Sequence, residues 1–392
     1  MMGAADKVMR IAMIGGGEGA FIGGVHRMAA ALDGQWQLCA GSFSADAARN
    51  IRSGQSLGLE ESRIHVSLDA LLAHECALPA DQRVHAIAIV TPNHLHRPMA
   101  IRALDAGFDV LSEKPMALSL AEAIEIEAAV QRSGRLYALA FTYSAYPLVE
   151  EARQRVKRGD LGAIRLVHVE YPQGWLSAPI ERDGQKQAEW RTDPSRAGPA
   201  GCLGDIGTHA FQLAEHVSGL RVEAISADLS THVEGRRVDD NVAVLLRFEG
   251  GARGMLMASQ VAAGEENGLR IRIHGEKGGL DWAQQEPNSL TIRWQDGPTT
   301  IFRAGGPGLC PGAIARLRTP AGHPEGYLEA FANIYVRFAE AIRTGAGADQ
   351  FPGVAAGIRS MAFVEAVLAN SRGAEKWTRL DEVEAAVRAG RA

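Results

Sequence analysis

Arg10-Ile11-Ala12-Met13-Ile14 runs directly into Gly15-Gly16-Gly17-Glu18-Gly19-Ala20-Phe21-Ile22-Gly23-Gly24, and a helix-like stretch follows. A short apolar run that ends in glycines before a helix reads as the first turn of a βαβ unit. Glycines there permit a tight turn, and they let backbone N–H groups and the positive helix end approach a pyrophosphate. The spacing is stretched, with Gly15 and Gly17 followed by Gly23 rather than by a glycine three residues on. The loop therefore gains its weight from standing directly after a strand, since a glycine turn by itself is ordinary.

Outward from that loop, Met9 to about Thr142 alternates short apolar runs with helix-length amphipathic stretches, the pattern of parallel βαβ units. Strands are predicted at Arg10–Gly15, Gln37–Ser42, Ala86–Thr91, Asp109–Ser112 and Leu136–Phe141, with helices at Gly24–Leu32, Ala45–Ser56, His96–Ala106 and Leu120–Arg132. After Tyr146 the texture changes to one amphipathic helix and then longer strand-like runs: Ile164–Tyr171, Val222–Val233, Asn241–Phe248, Ala252–Val261, Leu269–His274 and Leu290–Trp294. Turns such as Glu249-Gly250-Gly251 favour antiparallel hairpins. Gly305 to Gly322, rich in Gly and Pro, reads as a long loop, and the helical stretches Glu325–Thr344 and Val354–Ser371 close the chain. The expected fold class is α/β: a doubly wound parallel sheet over residues 1–142, then an α+β domain with a large, mainly antiparallel open sheet over 143–392.

At 392 residues the chain exceeds the length at which one core usually stops growing, which agrees with two domains. A hydrophobic fraction of 46% with 22% charged residues fits an ordinary globular protein. Lys and Arg number 41 against 46 Asp and Glu, so no basic field exists to attract nucleic acid. Cys39, Cys76, Cys202 and Cys310 are scattered, forming neither a C-x-x-C pair nor a disulfide framework, and read as reduced cytosolic thiols. No secretory leader and no apolar run long enough to span a membrane is recognisable, so a cytoplasmic protein without membrane or metal is expected.

Where the second strand would end in an acid for the ribose of NAD, this chain has Ala40-Gly41-Ser42-Phe43-Ser44, with Arg49 following. Without that carboxylate, Ser44 and Arg49 suit a 2'-phosphate, which leaves NAD or NADP open; alternatively Ser44 only caps the next helix. Two further strands end in Thr91-Pro92-Asn93-His94-Leu95-His96 and in Ser112-Glu113-Lys114-Pro115, at the carboxyl edge where open parallel sheets bind ligands. Pro115 restricts the direction of Lys114, though a lysine at a strand end can equally be solvated. Further on, Gly201-Cys202-Leu203-Gly204-Asp205-Ile206-Gly207-Thr208-His209 opens a helical stretch to Val217. Asp205 and His209, four apart, share one helix face. An imidazole beside a carboxylate suits proton abstraction from a hydroxyl, while the alternative is a helix cap next to a packed histidine.

The glycine loop, TPNHLH, SEKP and GDIGTH, in that order, resemble the glucose-fructose oxidoreductase/inositol dehydrogenase/rhizopine-catabolism (Gfo/Idh/MocA) family from Arg10 to about Trp377. The resemblance implies that Lys114, His209 and Asp205 form the catalytic set. His209 then takes a hydroxyl proton, Lys114 hydrogen-bonds the same oxygen, and a hydride passes to a nicotinamide. It further implies that Gly15, Gly17, Gly23, Ser42, Ser44, Arg49, Thr91, Pro92, Asn93, His96, Glu113 and Lys114 line the cofactor. Gln173-Gly174-Trp175 and Glu189-Trp190-Arg191 are similar to the sugar dehydrogenases of the family, and Trp175 and Trp190 suit stacking on pyranose C–H faces. Tyr143, Arg191 and His323 complete the expected substrate side. The resemblance also implies a homodimer or homotetramer paired through sheet faces.

Three functions compete at this level. The first is reversible oxidation of a secondary alcohol on a sugar, inositol or related polyol. The second is an NAD-dependent glycoside hydrolase that works by transient ring oxidation and elimination. The third is a non-catalytic dinucleotide-binding regulator.

Overall fold

The computed structural model describes residues 8–390. Residues 1–7 and 391–392, which hold most of the amino-terminal stretch weighed for a leader and the outer ends of both expected domains, lie outside the described residues. The chain forms two compact units. The first runs to Ala117 and adds Glu122–Ala140 and Phe331–Gly357; the second comprises Leu118–Ala121, Phe141–Ala330 and the chain from Ile358 onward.

Strands β1 (Met9–Gly15), β2 (Trp36–Ser42), β3 (Ala86–Val90), β4 (Asp109–Ser112) and β5 (Tyr137–Leu139) make a parallel sheet ordered β2-β1-β3-β4-β5. Ile64 makes one parallel bridge to Gly41 of β2. Counting that bridge as a vestigial strand outside β2 gives the 3-2-1-4-5-6 order of dinucleotide-binding sheets. All five residues of β3 are buried, as befits a strand covered on both faces. The connecting helices are α1 (Phe21–Leu32), α2 (Ala47–Ser56), α3 (Leu68–Ala77), α4 (His96–Asp105) and α5 (Leu120–Ser133).

Helix α1 begins three residues before its predicted start, so Gly23 and Gly24 lie in its first turns and not in the loop. Asp46, not Ser44, caps α2: its side chain accepts the Arg49 N–H at 2.7 Å, while the Ser44 hydroxyl accepts from Asp46 N at 3.1 Å. Helix α3 was not predicted, because LDALLAHECA spreads its apolar residues around the helix; Ser67 caps it.

In the second unit, helix α6 (Pro147–Lys157) precedes β6 (Ile164–Pro172), followed by α7 (Lys186–Arg191), α8 (Pro194–Ala197) and α9 (Thr208–Ser218). Then come β7 (Val222–Ser230), β8 (Asn241–Phe248), β9 (Arg253–Ser259), β10 (Arg270–Gly275), β11 (Gly278–Ala283), β12 (Ser289–Trp294) and β13 (Thr300–Arg303). Helices α10 (Pro311–Ile314), α11 (Tyr327–Thr344) and α12 (Val354–Arg372), the short strand β14 (Thr378–Arg379) and α13 (Leu380–Arg388) end the chain. The segment from Gly305 to Gly322 is thus not wholly loop, since Pro311 supplies a first-turn proline for α10.

The nine strands are ordered β13-β12-β11-β10-β6-β9-β8-β7-β14, antiparallel except for β6 with β9. Strand β8 shows the physics of this sheet. Val242, Val244, Leu246 and Phe248 are buried while Ala243 and Leu245 between them are exposed, so one face is covered and the other open. Each such buried side chain stabilises by roughly 1.5–3 kcal/mol relative to exposure. Helix α9 packs on β6, and Phe211 of α9 stacks on Phe363 of α12 at 4.3 Å. The open face carries exposed Leu166, Leu245 and Met255 beside the Arg270–Asp281 and Arg272–Glu170 ion pairs. No helix among the described residues is long and apolar enough to cross a membrane.

Candidate functional site

Strand β1 delivers the chain to Gly15 between β2 and β3, where the sheet order reverses. Gly15 and Gly16 adopt φ of 83° and 69°, a region that side chains disfavour. A Cβ on Gly15 would stand 2.7 Å from the Val90 carbonyl oxygen, and one on Gly23 only 2.3 Å from that of Gly16. The stretched spacing has a physical purpose: Gly23 lets the first turn of α1 lie directly against the loop. The Ala20 cap residue offers no side-chain bond to the first turn of α1, and no acidic residue lies there. The first turn of α1 thus brings no acidic side chain of its own to the positive helix end, and Arg27 pins the loop by donating to Gly16 O at 2.7 Å. These features fit a dinucleotide pyrophosphate.

Ser42 is buried at the end of β2, Ser44 is half-buried and Arg49 is exposed. The acid that the sequence lacks at the strand end stands slightly later, as exposed Asp46. At the end of β3, the Thr91 hydroxyl is buried without a hydrogen-bond partner among the described residues, a group suited to bonding a ligand. Pro92 leads a one-turn helix, Asn93–Leu95, in which Asn93 is buried.

Two residues expected along the cofactor turn out to be committed to the chain. His96 is fully buried, its Nδ1 2.8 Å from Pro115 O and its Nε2 2.9 Å from Thr91 O, so it staples two strand ends; burial lowers its pKa. Glu113 accepts from His26 Nε2 at 2.8 Å and from the Lys114 N–H at 3.2 Å. Burial pushes the Glu113 carboxyl up, but the His26 bond and the neighbouring charges outweigh it and hold the group below its ordinary value. Lys114 is half-buried, and its peptide bond to Pro115 is cis.

In the second unit, a π-helical turn, Leu203–Gly207, leads into α9. The Asp239 carboxylate clamps its start by accepting the Gly201 and Leu203 N–H groups, each at 2.7 Å. His209 follows one turn on, with aromatic rings around it: Tyr143 at 4.8 Å, Phe141 at 5.5 Å and Tyr171 at 6.3 Å, all near-perpendicular. Behind them runs a polar network. The Tyr143 and Tyr171 hydroxyls lie 2.5 Å apart, Tyr171 donates to Asn267 at 2.7 Å, and Asn267 donates to Tyr143 at 3.2 Å and to Gln284 at 3.0 Å. Gln173 joins by donating to Asn267 at 2.8 Å and accepts from the Trp175 indole at 3.1 Å. Burial first, then Tyr143, keeps the Tyr171 phenol protonated far above the ordinary range.

Asp205 accepts from Gln260 at 2.8 Å and pairs with Arg191 at 3.3 Å, while the Arg191 guanidinium lies over the Trp190 ring at 4.2 Å. The structure thus joins Asp205, Arg191 and Trp190 in one group, and His209, Tyr143 and Trp175 in another. His323 joins neither: it is exposed and bonds Pro320 O within its own turn. Tyr171, Gln260, Asn267 and Tyr327, whose ring lies 6.3 Å from that of Tyr143, were not singled out by sequence. Gln260, where the apolar alternation of β9 breaks, offered a signal, while Asn267 offered none.

Among the described residues, one group has metal-ligand composition: His65, His74 and Glu75, whose ligand atoms lie within 4.8 Å of one another. Its carboxylate is already paired with Arg63 at 2.7 Å and accepts the Val84 N–H at 2.9 Å.

Residues 9–141 match the oxidoreductase family with NAD-binding Rossmann fold, and residues 149–281 match the GFO/IDH/MocA C-terminal domain. An uncharacterized oxidoreductase of Bacillus subtilis (strain 168) is 32% identical over 95% of this chain and 97% of its own length. Levoglucosan dehydrogenase of Pseudarthrobacter phenanthrenivorans is 31% identical over 54% of this chain and 58% of its own. A solved inositol dehydrogenase homolog from Azotobacter vinelandii in complex with NAD+ superposes with a TM-score of 0.91 at 34% identity, covering 95% of this chain and 98% of that one. The same homolog with NADH and myo-inositol superposes at 0.89 with 33% identity, over 95% and 98% of the two chains.

Proposed function

Because the chain belongs to the GFO/IDH/MocA oxidoreductase family, we propose that it oxidises a secondary hydroxyl of a sugar, inositol or related polyol. It is an NAD-binding dehydrogenase, and the bound dinucleotide supplies the hydride acceptor. The observation that carries the substrate class is the surround of His209: an imidazole walled by ring edges, beside amides and phenols that can exchange hydrogen bonds with several hydroxyls. A relative bound to myo-inositol and another that acts on levoglucosan support the same class.

In this reading His209 takes the hydroxyl proton and the Lys114 ammonium donates to the same oxygen, stabilising it as the proton leaves. Asp205, oriented by Gln260 and Arg191, accepts a neighbouring substrate hydroxyl, which sets which carbon faces the reaction. Trp175 and Trp190, both half-buried, present faces to sugar C–H groups. Asp46, an exposed carboxylate beside Ser44, favours NAD over NADP by repelling a 2'-phosphate. A second copy of the chain covers the open sheet face, whose apolar centre and mixed-sign rim are self-complementary.

The test is reduction of NAD and NADP, side by side, over sugars, inositols and sugar acids. Reduction of NAD by a cyclic polyol or pyranose is the expected result. Failure across the panel by protein that binds NADH overturns the substrate class. Release of an aglycone without net reduction favours the glycoside hydrolase.

A further inference from the structure

We infer that His26, Glu113 and Tyr335 form a buried positioning relay that fixes the main chain of Lys114; this rests on the assignment of Lys114 to the chemistry. Its members come from three places far apart in sequence. His26 lies on α1, just beyond the glycine loop, Glu113 follows β4, and Tyr335 lies on α11 in the segment that returns to the first unit.

The donors and acceptors run in one direction. Glu113 is an acceptor at both oxygens, taking His26 Nε2–H at 2.8 Å and the Lys114 N–H at 3.2 Å. With Nε2–H turned toward the carboxylate, the other ring nitrogen, Nδ1, stands 2.7 Å from the Tyr335 hydroxyl. Burial holds that phenol protonated far above the ordinary range, so it is available as the donor. The order is Tyr335 O–H to His26, His26 N–H to Glu113, and Lys114 N–H to the far oxygen of Glu113. Nothing in the chain is slack: the His26 ring is fully buried and packs edge-on against Phe331 at 4.7 Å, and Trp36 donates to Tyr335 O at 2.9 Å.

Glu113 is thereby a positioning residue. A buried carboxylate that satisfies two donors cannot be exchanged for an amide without loss, because Gln can accept at only one of its two ends. Without the Glu113 carboxylate the Lys114 peptide loses a restraint on its position, and displacements of about 1 Å at a reacting group cost on the order of a hundredfold in rate.

The test uses the full-length enzyme with NAD and its best polyol substrate. Tyr335→Phe, which removes one hydroxyl and little else, is expected to lower kcat by about threefold to tenfold. Glu113→Gln is expected to lower it by about tenfold to a hundredfold. NADH affinity by fluorescence and substrate KM should stay within about twofold for Tyr335→Phe. The deciding comparison places Tyr335→Phe in a Lys114→Met background, where a relay acting through Lys114 gives no further loss. An equal loss in both backgrounds, or none in either, overturns the relay. If Lys114→Met itself turns over at the wild-type rate, the assignment of Lys114 fails instead, and the two failures are told apart.

Discussion

The first unit and the second hold their working groups by opposite means. Around the glycine loop, the atoms suited to face a ligand are chiefly peptide N–H groups and a helix end, joined by the Thr91 hydroxyl, while His26, His96 and Glu113 are turned inward and bonded to the chain. Around His209, the surfaces are side chains, drawn from β6, α9 and the loop before β10 and cross-linked by amides and phenols. A site made of backbone cannot accept a Cβ but reads little of a ligand beyond its charge and shape. A site made of side chains can be retuned residue by residue. On the proposed function, the difference puts cofactor binding in a part that resists change and substrate choice in a part that permits it.

Several measurements can break or sharpen that contrast. The largest expected effect is on chemistry: His209→Ala and Lys114→Ala each lower kcat by about 10²–10⁴, while NADH affinity by fluorescence titration stays near wild type. Next is the backbone-made cradle. Gly23→Ala puts a Cβ 2.3 Å from Gly16 O, so the loop must shift; NADH binding is expected to weaken by tenfold or more, about 1.4 kcal/mol or above, with polyol preference unaltered.

Asn267→Ala is the matching change in the other unit. It removes the amide that accepts from Tyr171 and donates to Tyr143 and Gln284, and is expected to cost about 1–3 kcal/mol in a denaturant melt, and to raise substrate KM several-fold at unchanged NADH affinity. Equal damage to both affinities by either variant would erase the contrast.

The smallest effect is on pH. Burial, then His74 and Arg63, push His65 of the first unit down to about 4. Burial, then Arg153 and Arg316, push His216 of the second down to about 3. Unfolded histidines titrate near about 6.5. Below that value the unfolded chain takes up protons that the fold refuses, so stability is full above it and declines as pH falls toward the folded values. Thermal midpoints should fall between pH 6.5 and 4.5, and His216→Leu should flatten the decline.

What was legible in the sequence follows the same division. The glycine loop, β4 at Asp109–Ser112 and β8 at Asn241–Phe248 were read with their observed bounds or close to them, because their signals are local: glycines after a strand, a buried run, strict alternation. The strands β11, β13 and β14 were missed because their runs are short and interrupted by polar residues. The bridge at Ile64 is a single residue and has no pattern to show. Phe331–Gly357 joins the first unit through contacts far away in sequence, such as Trp36 stacked on Phe338 at 5.8 Å, which no window along the chain can see. The residues proposed for the chemistry follow suit. Lys114, Asp205 and His209 stand in recognisable motifs, whereas Asn267 acquires its place only when β6 and the loop before β10 come together.

The most direct test uses a polyol deuterated at the carbon to be oxidised. Incubated with NAD, the enzyme is predicted to place the label on the nicotinamide ring, and His209→Ala and Lys114→Met are predicted to slow that transfer by about 10²–10⁴ while still binding NADH. Label transfer at the wild-type rate by both variants would contradict the assignment on which the mechanism stands.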